Sequence, residues 1–232
     1  MIAIIDYGAG NLFSVKNALD FLGLENKITN SADDLRSADR LILPGVGAFP
    51  DAMRMLGETG LISVIREEVQ KKPLLGICLG MQMAIVEFAR HVLGYEDANS
   101  IELAPETTHP VIALMPDQDG IEDVGGTLRL GSYPCVLDTA SLAYQVYGEE
   151  TIHERHRHRY EVNNDYRNIL TENGMKLCGL SPDGRIVEMV ELPDHPFFIG
   201  TQAHPELKSR PNRPHPLFRG FVEAAVAKHE AE

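Results

Sequence analysis

The residue type and spacing most suggestive of chemistry surround Cys78, in the ten-residue segment 73–82 (PLLGICLGMQ). The apolar run after Pro73 predicts a buried strand, and residues 81–93 are apolar at helical spacing. A strand, a sharp glycine-flanked turn and a helix form a nucleophile elbow, here with Cys in place of Ser. Gly76 and Gly80 suit a strained backbone that a substrate must approach, and the helix N-terminus favours the reactive thiolate. The spacing alone is equally compatible with a buried cysteine that has no chemistry.

A second candidate group is His204-Pro205-Glu206, which follows the apolar strand predicted over residues 197–203. Pro205 ends that strand because it has no N–H for a central ladder. In an extended segment residues i and i+2 share a face, so His204 and Glu206 point the same way. A carboxylate beside a histidine fixes its tautomer and raises its basicity. The sequence therefore contains a nucleophile, a base and an orienting carboxylate, each predicted at a strand end.

The elements that must position these groups alternate regularly in residues 1–95. Buried strands are predicted over 1–5, 27–29, 40–43 and 73–77, and helical patterns follow Asn11 and Ser31 and cover 51–69 and 81–93. This βαβαβαβα order predicts a parallel, right-handed, doubly wound sheet. Ligands bind at the carboxyl ends of the strands in such sheets.

Two glycine loops occur in this half of the chain. Residues 44–49 (PGVGAF) end the third strand, where backbone N–H groups can point at an anion; an ordinary tight turn is the alternative. Gly8-Ala9-Gly10 lacks the third glycine of a dinucleotide-binding fingerprint, so that interpretation is weak.

After Gly94 the pattern changes to a polar loop over 96–106 and short strands predicted over 109–115, 127–136 and 142–146. We expect these strands to form an antiparallel insertion or an extension of the main sheet. A helix is predicted from Pro216 to Lys228, with one apolar face formed by Leu217, Phe221, Ala224 and Ala225.

Residues 151–160 contain an alternating strand in which His156 and His158 share one face and Arg155, Arg157 and Arg159 share the other. A metal site would require nearby cysteines or carboxylates as well. Because arginine forks suit carboxylates, the pattern favours contact with a substrate carboxylate or phosphate. An exposed charged strand is the alternative.

Composition narrows the class of protein. A chain of 232 residues, 44% hydrophobic, fits one large α/β domain over 1–232. The net charge of −13 argues against nucleic-acid or anionic-membrane binding. We expect a cytoplasmic protein, because no signal-peptide pattern opens the chain and no apolar run reaches roughly 18 residues. Three widely spaced cysteines fit neither a disulfide framework nor a zinc site.

The motif GICLGMQ (76–82), followed late in the chain by His204-Pro205-Glu206, resembles the class I (triad) glutamine amidotransferase domain over nearly the whole sequence. The resemblance implies a doubly wound, mostly parallel α/β sheet flanked by helices, flavodoxin-like, with a small additional antiparallel sheet. It implies neither a cofactor nor a metal.

The resemblance is divided along the chain. Residues 1–72 resemble HisH, the glutaminase subunit of imidazole glycerol phosphate synthase, through MIAIIDYGAGNL (1–12) and LPGVGAF (43–49). Residues from about 83 resemble the glutaminase domain of CTP synthase, through ERHRHRYEVN (154–163), SPDG (181–184), KSRP (208–211) and HPLF (215–218). The segment 73–82 is common to both families. This division predicts a chimera, engineered and joined near the shared motif; natural divergence is the alternative.

The resemblance implies roles for individual residues. Cys78 would attack the side-chain amide of L-glutamine, His204 would transfer protons and Glu206 would hold His204. An oxyanion hole would be formed by backbone N–H groups of Leu79 and of Val46 or Gly47. The positions that match those holding the amino and carboxylate ends of glutamine are Gln82, Glu102, Arg159 and Tyr160.

The resemblance also implies a partner that accepts ammonia, either a HisF-like cyclase or the amidoligase domain of CTP synthase. That ATP- and UTP-using domain is not in this sequence, so we expect that the chain alone does not make CTP. Two other functions stay open: a folded but catalytically silent interaction module, and a γ-glutamyl hydrolase. Glu102 and Arg159 argue against the hydrolase, because they favour free glutamine with both α-groups held.

Overall fold

A computed structural model describes residues 1–114, 129–210 and 212–229, with backbone alone for 224–229. The strands are β1 Ile2–Ile5, β2 Asn26–Thr29, β3 Arg40–Leu43, β4 Leu74–Ile77, β5 Asn99–Ser100, β6 Pro110–Ala113, β7 Arg129–Leu137, β8 Thr151–His158, β9 Glu161–Val162, β10 Lys176–Leu180, β11 Val187–Glu191 and β12 Phe198–Thr201. The helices are α1 Leu12–Phe21, α2 Ala32–Ser37, α3 Phe49–Glu58, α4 Ile62–Glu68, α5 Leu79–His91, α6 Leu142–Tyr147, α7 Arg167–Glu172 and α8 Pro216–His229. Two short 3₁₀ helices cover Asn164–Tyr166 and Pro205–Leu207.

The main sheet has nine strands in the order β2-β1-β3-β4-β12-β11-β10-β7-β8. The first five of these are parallel, and each pairing from β12 to β8 is antiparallel. The parallel, helix-flanked half confirms the predicted fold class. Because β3, β4 and β12 are parallel neighbours, the segments that follow them meet at one edge of the sheet.

The parallel strands are buried on both faces. Along β1, Ile2 and Ile4 pack into one apolar core and Ala3 and Ile5 into the other. Helices α2 to α5 and α7 contribute to the core on one face, and α1, α6 and α8 contribute to the core on the other. A continuous apolar run is what such a doubly covered strand requires.

A second, three-stranded sheet has the order β5-β6-β9. Strand β6 pairs parallel with β5 and antiparallel with β9, so this sheet is mixed rather than purely antiparallel. The predicted loop 96–106 therefore contains a short strand. The predicted strand starting at residue 127 extends the main sheet as β7; its residues 127–128, and residue 115 of the preceding predicted strand, lie outside the described residues.

The prediction of one helix over 51–69 was wrong, because α3 and α4 are separate. Gly60 has a φ of 69°, which interrupts the helical backbone, and the Thr59 hydroxyl donates to the Leu56 carbonyl (2.6 Å). The apolar periodicity continues across this break because both helices pack on the same core.

The prediction of a strand over 142–146 was also wrong, because this segment is α6. The Ser141 hydroxyl accepts from the Tyr144 N–H (2.9 Å), and left-handed Gly148 ends the helix. These two capping residues favour a helix, and their effect outweighs the preference of the β-branched and aromatic residues in this segment for a strand.

The three cysteines are all free and buried. Among the helices in the described ranges, none is long and apolar enough to cross a membrane.

Candidate active site

Cys78 lies between the end of β4 and the start of α5, with φ 52° and ψ −105°. Among the residues that the structure describes, it alone has a positive φ without being glycine. Its N–H donates to the Thr201 carbonyl (2.7 Å), which continues the pairing of β4 with β12. This strained turn between strand and helix is the elbow that the sequence predicts.

The glycines beside Cys78 are required mainly for close packing. A Cβ on Gly80 would lie 2.0 Å from the Leu43 carbonyl oxygen at the end of β3. A Cβ on Gly76 would lie 3.0 to 3.1 Å from backbone atoms of Gly80 and Met81. Helix α5 therefore begins directly against the sheet, which aims the Cys78 side chain at the carboxyl edge.

His204 follows β12, the parallel neighbour of β4. Its N–H donates to the Arg155 carbonyl (2.8 Å) and its Nδ1 bonds Glu206 Oε1 (2.8 Å), with both side chains 2% exposed. The other ring nitrogen, Nε2, is buried and has no hydrogen-bond partner of suitable geometry among the described residues. The structure thus brings His204 and Glu206 onto one face, as the i, i+2 spacing predicts.

The electrostatics of His204 depend on Cys78. Burial lowers the pKa of His204, but the Cys78 sulfur and the Glu206 carboxylate outweigh burial and raise it to about 10. At neutral pH this environment favours an imidazolium, which is the counter-ion that a cysteine thiolate requires.

The glycine loop after β3 lies against the elbow. The hydroxyl of Tyr7, two residues after β1, donates to the Pro44 carbonyl (2.7 Å), and burial raises the Tyr7 pKa. A Cβ on Gly45 would approach both Leu79 Cβ (2.6 Å) and the Tyr7 hydroxyl (2.7 Å). The loop is therefore fixed beside the first turn of α5, where the Leu79 N–H has no helical acceptor.

A cavity of about 450 Å³ opens in front of Cys78. This volume is within the range of small-molecule sites. Eight of the ten predicted site residues line it, namely Val46, Gly47, Cys78, Leu79, Gln82, Glu102, Arg159 and Tyr160. The remaining two lie behind Cys78: His204 interacts with the Cys78 sulfur, and Glu206 bonds His204.

The far wall of the cavity carries opposite charges. The Glu102 carboxylate accepts a hydrogen bond from the Phe49 N–H (2.9 Å). Burial raises the pKa of Glu102, although this hydrogen bond and the charge of Arg159 both lower it. The Arg159 guanidinium lies 5.9 Å from the centre of the Tyr160 ring. A carboxylate and a guanidinium in one small cavity suit a ligand that has both an amino and a carboxylate group.

The alternation predicted for residues 151–160 is confirmed, but the alternative of an exposed charged strand is wrong for its histidine face. His156 and His158 are buried, whereas Arg155 and Arg157 are exposed, and Arg157 lines the cavity. Burial lowers the pKa values of both histidines. Among the described residues, no group of three or more potential ligands is arranged to hold a metal ion.

Gln202 and Tyr7 hold parts of this site and were not predicted. Gln202 is fully buried and its Nε2 donates to Cys78 Sγ (3.6 Å), and Tyr7 holds the loop after β3. The signal for Gln202 was its place two residues before His204 in an extended segment. The residues around Tyr7 gave no indication of its role, because its hydrogen-bond partner Pro44 is 37 residues away in the sequence.

A parallel α/β sheet with a strained cysteine elbow at its carboxyl edge, and a buried His–Glu pair on the neighbouring strand, defines the nucleophile-elbow class of α/β proteins. The chain belongs to the class-I glutamine amidotransferase family, which it matches over residues 3–224.

Individual relatives are more specific. The chain is 53% identical over 205 residues to a CTP synthase of Clostridium beijerinckii, and 54% identical over 226 residues to one of Rubrobacter xylanophilus. These matches cover 88% and 96% of the chain, but the chain spans only 37% and 40% of the relatives' length. Among solved structures, the glutaminase domain of Trypanosoma brucei CTPS with bound acivicin has a TM-score of 0.80 and 28% identity, with 97% of this chain and 93% of that chain covered.

These comparisons confirm the predicted family and the closeness to CTP synthase. An alignment of 226 residues also includes most of residues 1–82, so likeness to CTP synthases is not confined to the second half of the chain. The resemblance of residues 1–72 to HisH, and the chimera, stay predictions.

Proposed function

We propose that the chain is a glutaminase, which hydrolyses L-glutamine to L-glutamate and ammonia through a thioester on Cys78. The observation that carries the proposal is the convergence of Cys78 and the charged wall formed by Glu102 and Arg159 on one small cavity, with His204 interacting with the Cys78 sulfur. Membership of the amidotransferase family and the glutaminase domain in a similar structure support it.

In the first step the Cys78 thiolate attacks the amide carbon of glutamine, and the carbonyl electrons move to the oxygen. The Leu79 N–H, with that of Val46 or Gly47, stabilises this oxyanion, each donor contributing about 3 kcal/mol. The His204 imidazolium donates its Nε2 proton to the amide nitrogen, and ammonia leaves as the C–N bond breaks.

In the second step neutral His204 removes a proton from water, whose oxygen attacks the thioester carbon. Collapse of the tetrahedral intermediate breaks the C–S bond and returns the thiolate with glutamate. Glu206 holds the ring through Nδ1 in both steps, so that Nε2 faces the reacting atoms.

The wall of the cavity accounts for the choice of free glutamine. Arg159 would bind the α-carboxylate and Glu102 the α-ammonium group. Gln82 donates its amide hydrogens to the Tyr160 carbonyl (2.9 Å) and to Gln202 Oε1 (3.1 Å), so its Oε1 is left to accept from the substrate.

The test is release of glutamate from glutamine by the purified chain, with Cys78→Ala as the control. We expect release by the parent and none above background by the variant. No release with any candidate partner present would favour a silent interaction module instead. Hydrolysis of γ-glutamyl peptides but not of glutamine would favour a γ-glutamyl hydrolase.

We further propose that an amidoligase domain of the CTP synthase type takes up the ammonia. The support is the identity to CTP synthases together with the small share of their length that the chain spans. A HisF-like cyclase, which the HisH resemblance of residues 1–72 implies, is the second candidate. Titrating the chain with each partner separately, and measuring stimulation of glutamate release, distinguishes the two.

A further inference from the structure

A chain of buried side-chain amides connects the wall of the cavity to the nucleophile. The Gln82 Nε2 group donates to the Tyr160 carbonyl (2.9 Å) and to Gln202 Oε1 (3.1 Å). The Gln202 Nε2 group in turn donates to Cys78 Sγ (3.6 Å). Gln82 and Gln202 are 1% and 0% exposed, so water does not compete for these bonds.

The direction of the donors in this chain follows from its partners. The Tyr160 carbonyl can only accept, so Gln82 must turn its NH₂ group toward it and toward Gln202. Gln202 must then present its oxygen to Gln82 and its NH₂ group to the sulfur. The backbone at this position is also held, because the Gln202 N–H donates to the Glu188 carbonyl (2.9 Å).

A donor directed at sulfur distinguishes the two states of Cys78. An amide N–H stabilises a thiolate more strongly than a neutral thiol, since hydrogen bonds to charged groups are the stronger ones. The other titratable groups that interact with Cys78 are His204 and Tyr7. Of these, Tyr7 is committed to the Pro44 carbonyl, so among the described side chains His204 and Gln202 remain to stabilise the sulfur, in addition to the N-terminus of α5.

We propose that Gln202 is a further catalytic residue, which donates a hydrogen bond to the Cys78 thiolate and connects it to the substrate-binding wall. Gln82 Oε1 is buried and has no partner among the described residues. A substrate ammonium that donates to this oxygen would polarise Gln82 and then Gln202, and so strengthen the bond to sulfur. The inference rests on the proposed function for the catalytic role and for the identity of that substrate, whereas the hydrogen bond to sulfur does not depend on it.

The experiment measures the rate at which iodoacetamide alkylates Cys78 as a function of pH, with the modified residue identified by peptide mass spectrometry. Gln202→Met removes the donor at nearly the same length, and Gln202→Glu replaces it with a negative charge. We expect the pH midpoint of alkylation to rise by about one unit in Gln202→Met and by more in Gln202→Glu. Glutaminase kcat should fall about tenfold in Gln202→Met.

Gln145→Met, at an exposed position of α6, is the matched control and should leave the midpoint unchanged. A midpoint in both Gln202 variants equal to that of the parent would overturn the proposal. Alkylation is independent of glutamine hydrolysis, so a shifted midpoint without glutaminase activity would contradict the proposed function and leave the hydrogen bond from Gln202 to the thiolate standing.

The unsubstituted chain provides a second measurement that does not depend on the folding of a variant. In NMR spectra of the ¹⁵N-labelled protein, the side-chain amide signal of Gln202 should titrate together with Cys78 and lose that titration after alkylation. A Gln202 signal that is insensitive to both would overturn the proposal.

Discussion

The backbone of Cys78 is held in a conformation that a cysteine alone would not adopt. A non-glycine residue at positive φ costs on the order of 1–3 kcal/mol, and here the packing of α5 on β4 compensates for that cost. The same turn brings the sulfur beside His204, where both residues are buried behind the wall of the cavity. Strain and burial at this one residue are therefore two consequences of the same close packing.

Cys78→Ala should lower the pKa of His204 from about 10, because burial then opposes only the Glu206 carboxylate. In the parent, the raised pKa of His204 stabilises the folded state. This stabilisation is fully present below pH 6.5, the pKa of histidine in the unfolded chain, and is lost as the pH rises through about 10. NMR titration of the His204 Cε1 proton checks the shift. Cys135→Ala, at a buried thiol on β7, is the control; an equal shift in both variants would contradict the assignment.

At the scale of elements, the site depends on how closely α5 lies against β3 and β4. Gly80 is the contact point, because any side chain there meets the Leu43 carbonyl. The loop after β3 lies on the other side of the same contact, fixed by Tyr7. A small displacement of α5 would therefore move the elbow and the loop that carries Val46 and Gly47 together.

Gly80→Ala should destabilise the fold by about 2 kcal/mol or more and strongly reduce glutamine hydrolysis, because a Cβ would lie 2.0 Å from a backbone oxygen. Gly57→Ala is the matched control within α3, where a Cβ has nothing within 4 Å. That variant should gain about 0.5–1 kcal/mol, since alanine is the better helix former. Urea denaturation measures both changes, and equal stabilities of the two variants would contradict the packing argument.

The elements around this contact were largely predictable from the sequence, because β1, β3 and β4 are buried on both faces and read as continuous apolar runs. The end of α3 was not predictable from the sequence, because the apolar periodicity continues across Gly60 into α4. The segment 142–146 was misassigned because its β-branched and aromatic residues outweighed the caps Ser141 and Gly148.

The site was predictable to the extent that its residues adjoin predicted strand ends or match a family motif. Cys78, His204 and Glu206 met that condition. The partners that cross the sheet, such as Tyr7 with Pro44 or Gln202 with Gln82, depend on distances between segments 37 and 120 residues apart. No local pattern contains those distances.

At the scale of the whole molecule, a buried ionic cluster joins the two sheets. Arg129 on β7 contacts Glu188 on β11 (2.6 Å) and Glu161 on β9 (3.7 Å), and His158 on β8 bonds Glu161 (2.7 Å). His156 lies 3.5 Å from Glu188. Within this cluster one arginine faces two buried carboxylates. Burial raises the pKa of each carboxylate more than Arg129 lowers it, so the pKa of Glu161 is about 8 and that of Glu188 is about 7.

Protonation of Glu161 should therefore contribute to the pH dependence of stability above pH 5. Its pKa is raised in the folded state, so the unfolded chain loses this proton near 4.5 while the folded chain keeps it to about 8. The free energy of unfolding should then fall as the pH rises through this window. Glu161→Gln mimics the protonated carboxyl, because the N–H of the glutamine amide can donate to neutral His158, and it removes the titration.

We expect Glu161→Gln to gain stability relative to the parent between pH 5 and 8, by on the order of 2 kcal/mol. Urea denaturation across this range measures the difference at each pH. Glu149→Gln, at an exposed position before β8, should run parallel to the parent throughout. If the stability of Glu161→Gln also ran parallel to that of the parent across this pH range, the prediction would be contradicted. Glu161 would then be ionised in the folded protein and paired with Arg129. The two sheets would be joined by that ion pair and not by a hydrogen bond from a protonated Glu161 to His158.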